Sequence, residues 1–165
     1  MSISVSGHLS SEVEKLRDEL VGKISELESR VGRLEEKLNI LPSIVEASWR
    51  IAQLESSAQR ILSHSRSPLV TLPIFEQELS KYFDELKDLI AILKDASISV
   101  NWSLIGRSAS MVLRAAKEAG ISFGPLASLM IEKLGGYAAK VIDENVVGEV
   151  YGLAELKYWR KLLRE

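Results

Sequence analysis

Hydrophobic residues alternate at intervals of three and four along the N-terminal quarter of the chain. From Ile24 to Val45 this spacing is uninterrupted, which is typical of a coiled-coil seam with β-branched residues at most a positions and leucine at d. The 11-residue step from Val13 to Ile24 locally relaxes a left-handed supercoil. The pattern predicts a coiled-coil arm over residues 1–41. Its expected self-association residues are Val13, Leu16, Ile24, Leu27, Val31, Leu34, Leu38 and Leu41.

The charges beside the seam predict the direction of pairing. In a parallel pair, a residue at g faces the residue five positions later, at e, on the partner helix. All three charged pairs of this kind have opposite signs: Glu12–Arg17, Lys23–Glu28 and Arg30–Glu35. An antiparallel pair would tend to set Lys23 and Arg30 against like charges. We therefore expect a parallel homodimer; the alternative is that this helix folds back onto its own bundle.

Residues 42–72 are predicted to form a connecting helix and a linker. Pro42 cannot donate a backbone hydrogen bond, so the arm is expected to end within residues 39–41 or to kink there, with Pro42 opening a second helix. Serine and proline are frequent between Ser63 and Pro73, which predicts a linker. The apolar face of the second helix comprises Ile44, Ile51, Leu54, Ala58, Ile61 and Leu62.

Residues 73–165 are predicted to form a compact helical bundle. Helices are expected from Pro73, over residues 102–119 with Asn101 as the cap, over residues 125–134, and from about Asn145 to the C-terminus. The apolar face of the first of these is predicted as Phe75, Leu79, Tyr82, Leu86, Leu89 or Ile90, and Leu93. The fold class is therefore all-α, a long N-terminal coiled-coil helix followed by a multi-helix bundle. The buried side of the last helix is predicted as Val147, Val150, Tyr151, Ala154, Tyr158 and Leu162, widened by Trp159 and Leu163.

The segment GISFG, residues 120–124, matches the G-x-S-x-G pattern of a serine hydrolase. A hydrolase elbow places its serine between a strand and a helix, with the triad histidine later in the chain. Here a helical pattern precedes Gly120, and both histidines, His8 and His64, precede Ser122. The segment is interpreted as a turn between helices, in which Gly124 is the cap and Pro125 the first residue of the next helix.

No enzyme, cofactor or metal site is expected from the remaining motifs. The chain has no cysteine and two separated histidines, and its acidic residues are scattered among lysines. The predicted function is that of a structural, scaffold or assembly protein, which joins copies of itself and presents the bundle to another protein. A virion component is compatible with this role.

Two alternative functions follow from other patterns. Residues 102–121 resemble a helix-turn-helix in pattern, and Arg107, Arg114 and Lys117 are its candidate DNA-contacting residues in a dimeric regulator. The residues of this segment predicted to face inward are Leu104, Val112, Ala115 and Ala119. The third alternative is a helical protein acting at a membrane surface, through the segment rich in small residues from 108 to 139. Charged residues interrupt that segment often, so membrane binding is not favoured.

The source and compartment are predicted from composition and from the first residues. Abundant Glu, Lys and Arg with no cysteine is a pattern compatible with a thermophilic organism. The first ten residues have neither a basic segment nor an apolar stretch of the kind found in secretory signals. We therefore expect a cytoplasmic protein.

Overall fold

The computed structural model describes residues 2–165 and the side chains of residues 7–165. Over these residues the chain is 87% helical and contains no strand, which confirms the predicted all-α class with a long N-terminal helix and a bundle. The first helix, α1, spans Ser2–Ser65. By its internal contacts the chain divides into two compact units, one ending at Pro42 and one beginning at Ser43.

Of the two outcomes expected at Pro42, a helix end or a kink, the end within residues 39–41 is wrong, because α1 runs through Pro42. Proline removes one backbone donor and leaves one carbonyl, that of Leu38, without its helical partner. The other helical bonds on both sides remain, and the loss of this single bond does not end the helix. The predicted second helix is therefore the C-terminal part of α1.

The unit that begins at Ser43 is a bundle of helices joined by short connections. After α1 come α2 (Leu72–Asp95), α3 (Trp102–Glu118), α4 (Phe123–Leu134), a 3₁₀ turn (Gly135–Tyr137), α5 (Ala138–Val141), α6 (Glu144–Val150) and α7 (Leu153–Arg164). The segment 66–71 connects α1 to α2 within the predicted linker, and Leu69 in this connection is 88% exposed.

The core of the bundle contains buried residues from every helix from α1 to α7, among them the C-terminal part of α1 and the apolar face of α2. In α1 the buried residues are Ala47, Leu54, Ala58 and Ile61, and in α2 they are Phe75, Leu79, Tyr82, Phe83, Leu86, Leu89, Ile90 and Leu93. Polar contacts lie inside this core: the hydroxyls of Tyr82 and Ser108, which join α2 to α3, are 2.5 Å apart, and the Ser108 hydroxyl donates to the carbonyl of Ile105 at 3.0 Å. Burial raises the pKa of Tyr82 well above its ordinary value, so the phenol stays neutral.

The C-terminal segment differs from the prediction of a single helix. Helix α6 ends at Val150 and α7 begins at Leu153, because Gly152 adopts φ 121°, a conformation that a helix excludes. This break changes the register of the inward face. Trp159 is fully buried as predicted, whereas Ala154 and Tyr158 are exposed.

Candidate self-association surface

The seam predicted from the sequence lies on α1 as a continuous apolar stripe. A helix that repeats apolar residues every three and four positions brings them onto one face, because successive residues are rotated by about 100°. The eight predicted self-association residues all belong to this helix, and each is between 49% and 64% exposed. Between residues 7 and 41 every residue is exposed except Gly32, which is partly exposed.

Two leucines of the stripe were missed by the heptad assignment. Leu9 and Leu20 are 56% and 59% exposed, and they fill the places four residues before Val13 and four residues after Leu16. Leu20 lies inside the 11-residue step from Val13 to Ile24 and divides it into intervals of three, four and four, as in an 11-residue repeat, and Leu9 precedes Val13 by four; this spacing could have revealed both leucines in the sequence. The stripe therefore covers the arm from Leu9 onward.

A shallow groove lies on the stripe in the middle of the arm. It has a volume of about 320 Å³ and is lined by Ile24, Leu27, Glu28, Val31, Gly32 and Glu35. The first four of these residues occupy the heptad positions a, d, e and the next a. In parallel coiled coils, the side chain at d on one helix inserts among these four positions of the facing helix. The groove thus has the composition expected of a receiving hole.

The candidate DNA-contacting residues lie on α3, where two of them already contact other bundle residues. Arg114 forms an ion pair with Glu149 at 3.3 Å, and the Lys117 ammonium lies 5.3 Å from the centre of the Tyr151 ring. A phosphate would have to compete with these contacts. Helix α3 is also extensively buried, with Ile105, Ser108, Ala109, Val112, Leu113, Ala115 and Ala116 in the core. Leu104, predicted to face inward, is 40% exposed.

The third candidate, Arg107, is exposed and lines an open cavity of about 610 Å³ together with Trp102 and Lys140. Asp143 and Glu144 line the same cavity. The Arg160 guanidinium lowers the pKa of Glu144, so this carboxylate remains charged at neutral pH. The cavity combines both signs of charge, and a phosphate bound there would face carboxylates as well as cations.

The GISFG segment forms the turn between α3 and α4. Gly120 has φ 82°, its N–H donates to the carbonyl of Lys117, and the N–H of Ile121 donates to the carbonyl of Ala116. These two bonds define a Schellman motif, which requires positive φ at the glycine. Ser122 is the N-cap residue of α4, without a side-chain capping bond. The predicted cap at Gly124 is therefore wrong by two positions.

A metal-binding cluster and a membrane-spanning helix are both absent from the described residues. Over the described chain, no group of three or more His, Cys, Asp or Glu side chains is placed to hold a metal ion. Within the same residues, no helix combines the length and the apolar character that crossing a membrane requires.

Comparison with known proteins finds no matching family model, no matching curated protein and no matching solved structure. The proposals below therefore rest on the residues and contacts of this chain.

Proposed function

We propose that this chain is a non-enzymatic scaffold or assembly protein, whose arm pairs in parallel with a second copy over residues 11–41 and whose bundle is presented to another protein. One observation carries the proposal. A helix places eight apolar seam residues in one stripe while leaving each of them at least 49% exposed. Covering such a stripe with the same stripe of a second copy removes its apolar surface from water.

Pairing would also stabilise the arm, because a single exposed helix lacks the packing that stabilises helices in proteins. A single helix gains little from intrinsic propensity, and most helical stability in proteins comes from packing of an apolar face. Residues 7–41 offer such a face, together with a hole of the expected composition around Leu27. In a dimer, each a or d side chain would insert between residues of the facing helix.

The charges at g and e support the parallel direction. The pairs Glu12–Arg17, Lys23–Glu28 and Arg30–Glu35 would each join opposite charges across the dimer. Exposed ion pairs contribute only about 0–1 kcal/mol each, so they select direction and register while the apolar seam supplies the affinity.

The experiment that tests this function uses the absence of cysteine in the natural chain. In a parallel, in-register dimer, a cysteine at d lies opposite its own copy, within the Cα separation of about 4.4–6.8 Å that a disulfide needs. Leu27→Cys should therefore form a disulfide-linked dimer under mild oxidation. The wild type should have the mass of two chains by light scattering after size exclusion at tens of micromolar.

Ser29→Cys is the matched control, because Ser29 occupies position f and would point away from the partner helix. It should stay largely unlinked under the same oxidation. A monomeric wild type, together with a free thiol in Leu27→Cys, would refute the proposed self-association.

A further inference from the structure

An apolar patch on the bundle unit continues the heptad frame beyond Pro42. Val45 occupies a, Ser48 occupies d and Ala52 occupies the next a, and all three are exposed. Trp49, at position e, is 60% exposed, and Ile44, at position g, is 38% exposed. Tryptophan is rarely left in water by an isolated domain and is enriched in the buried centre of protein interfaces.

Ile44 and Trp49 have the same g-to-e spacing as the charged pairs of the arm. In a parallel pair g faces the e position five residues later, and Ile44 and Trp49 are five residues apart. Proceeding along the chain, the charged g–e pairs end with Arg30–Glu35. Lys37 would then face Pro42, and Ile44 would face Trp49 of the second copy. An apolar pair thus follows the charged ones in the same frame.

The small residues at the centre of the patch explain why large ones flank it. Where d is Ser48 and the next a is Ala52, two helices can approach more closely than they can around leucines. Closer approach brings the side chains at g and e over the seam, so that an indole and an isoleucine side chain can close it from both edges. The neighbouring ion pair of Arg50 and Glu46, 3.3 Å apart, uses the outer positions f and b.

We propose that the pairing surface of two copies extends past Pro42 to residue 52, with Trp49 of each copy packed against Ile44 and Val45 of the other. This inference rests on the proposed parallel dimer and adds a second contact region to it. The residues of α1 buried in its own bundle are Ala47, Leu54 and Ile61 at c positions, Ser57 at f and Ala58 at g, so the a and d positions from 45 to 52 stay available to a second copy.

The test compares single cysteines in the full-length chain under the same mild oxidation. Leu27→Cys reports on the arm, Ser48→Cys reports on the extended region at its d position, and Ser29→Cys is the control at f. Disulfide-linked dimers of both Leu27→Cys and Ser48→Cys, without linkage of Ser29→Cys, are expected.

The contribution of the indole is measured separately, from the dissociation constant of the dimer. Trp49→Ala should raise this constant on the order of tenfold or more, as truncation of a buried interface tryptophan does. Leu69→Ala, which removes the most exposed leucine from outside the heptad frame, should leave the constant unchanged.

The outcomes separate this inference from the proposed function. If Leu27→Cys links while Ser48→Cys stays a free thiol, or if Trp49→Ala leaves the dissociation constant unchanged, the extended surface is wrong and the arm dimer stands. If neither cysteine links and the wild type is a monomer, both proposals are wrong.

Discussion

Residues 7–41 and the bundle that begins at Ser43 use the same aliphatic residue types in two different ways. In the arm, leucine, isoleucine and valine lie on one narrow stripe and are about half exposed. In the bundle, the same residue types line broad helix faces that several neighbouring helices cover, and 29 of the described hydrophobic residues, the first of them Ala47, are buried to 9% exposure or less. The amount of hydrophobicity therefore does not distinguish the two regions; the width and period of the stripe do.

The width of the apolar face determines where each region obtains its stability. A broad face can be covered by several helices of the same chain, so the bundle gains its free energy of folding from its own residues. A strict a and d stripe fits one further helix of the same kind. We therefore expect substitutions in the seam to act on association and substitutions in the core to act on unfolding.

The largest effect is expected for Leu27→Lys combined with Leu34→Lys. Two ammonium groups per chain would enter the seam. Replacing these two leucines, which the dimer would bury, should cost the dimer at least about 4 kcal/mol, or roughly a thousandfold in its dissociation constant. The three tryptophans, Trp49, Trp102 and Trp159, all belong to the bundle unit. The unfolding midpoint followed by their fluorescence, read at a protein concentration where the wild type is dissociated, should stay unchanged.

Gly22→Lys combined with Ser29→Lys is the matched control for this pair. It adds the same charge at the same seven-residue spacing, but at f positions, and Gly22 has open space around it. The control should remain a dimer by light scattering. Equal dissociation of both double variants would mean that net charge, and not the seam, governs association.

Trp159→Ala should have the next largest effect, on the bundle alone. The ring is fully buried and contacts Phe123 edge-to-face, with 6.1 Å between ring centres. Its removal should lower the free energy of unfolding by about 3 kcal/mol or more, measured by chemical denaturation. Tyr158→Ala, next to it and 42% exposed, is the control and should cost less. Equal costs would show that burial does not decide the effect at this helix.

The comparison also shows what the sequence predicts and what it leaves open. Periodicity identified the inward face of α2 and the N-cap Asn101, whose side chain accepts from the N–H of Ser103 at 3.1 Å. These features depend on neighbours within a few turns of the helix. The continuation through Pro42 and the break at Gly152 depend on the balance between a local defect and tertiary packing, which periodicity does not measure.

The candidate surface was predictable to a different degree. The eight seam residues and their frame could be read from the spacing, because a helical stripe is a local property. Whether Trp49 belongs to the core or to a surface could not be read in this way, since that depends on which face of α1 the other helices cover. Trp159 and Trp49 both lie in helices, yet Trp159 is fully buried and Trp49 is 60% exposed.

Two glycines should respond to alanine in opposite directions. Gly22 lies inside α1 with nothing within 4 Å of an added Cβ, so Gly22→Ala should stabilise the arm by about 0.5–1 kcal/mol. Gly120 has φ 82°, so Gly120→Ala should destabilise the bundle by roughly 1–2 kcal/mol. Thermal unfolding followed by circular dichroism and by tryptophan fluorescence measures both.

Gly120→Asn is the control for the backbone argument, because asparagine tolerates positive φ better than alanine does. It should restore part of the lost stability. If asparagine and alanine were equally destabilising, the cost would come from the added side chain and not from the conformation of the turn.

The smallest effect is expected from two exposed ion pairs of the bundle. The Arg66 guanidinium, whose Nε lies 3.0 Å from Glu118, lowers the pKa of that carboxyl, and Arg160 lowers the pKa of Glu144. A carboxyl whose pKa is lower in the folded state contributes stability above its ordinary pKa, about 4.3, and loses that contribution as the pH falls through the folded-state value. Acid should therefore remove the contribution of both pairs.

A variant that carries Arg66→Gln and Arg160→Gln tests whether acid removes the stabilising contribution of these two ion pairs. At pH 7 its unfolding midpoint in urea should lie slightly below that of the wild type, because two favourable pairs are missing. As the pH falls through the lowered folded-state pKa values of Glu118 and Glu144, the two midpoints should converge, since the carboxyls then become protonated in both proteins. Added salt at pH 7 should narrow the same gap by screening. A gap that stays constant from pH 7 to a pH below these pKa values would mean that the arginines stabilise the bundle through the packing of their aliphatic stems and not through charge.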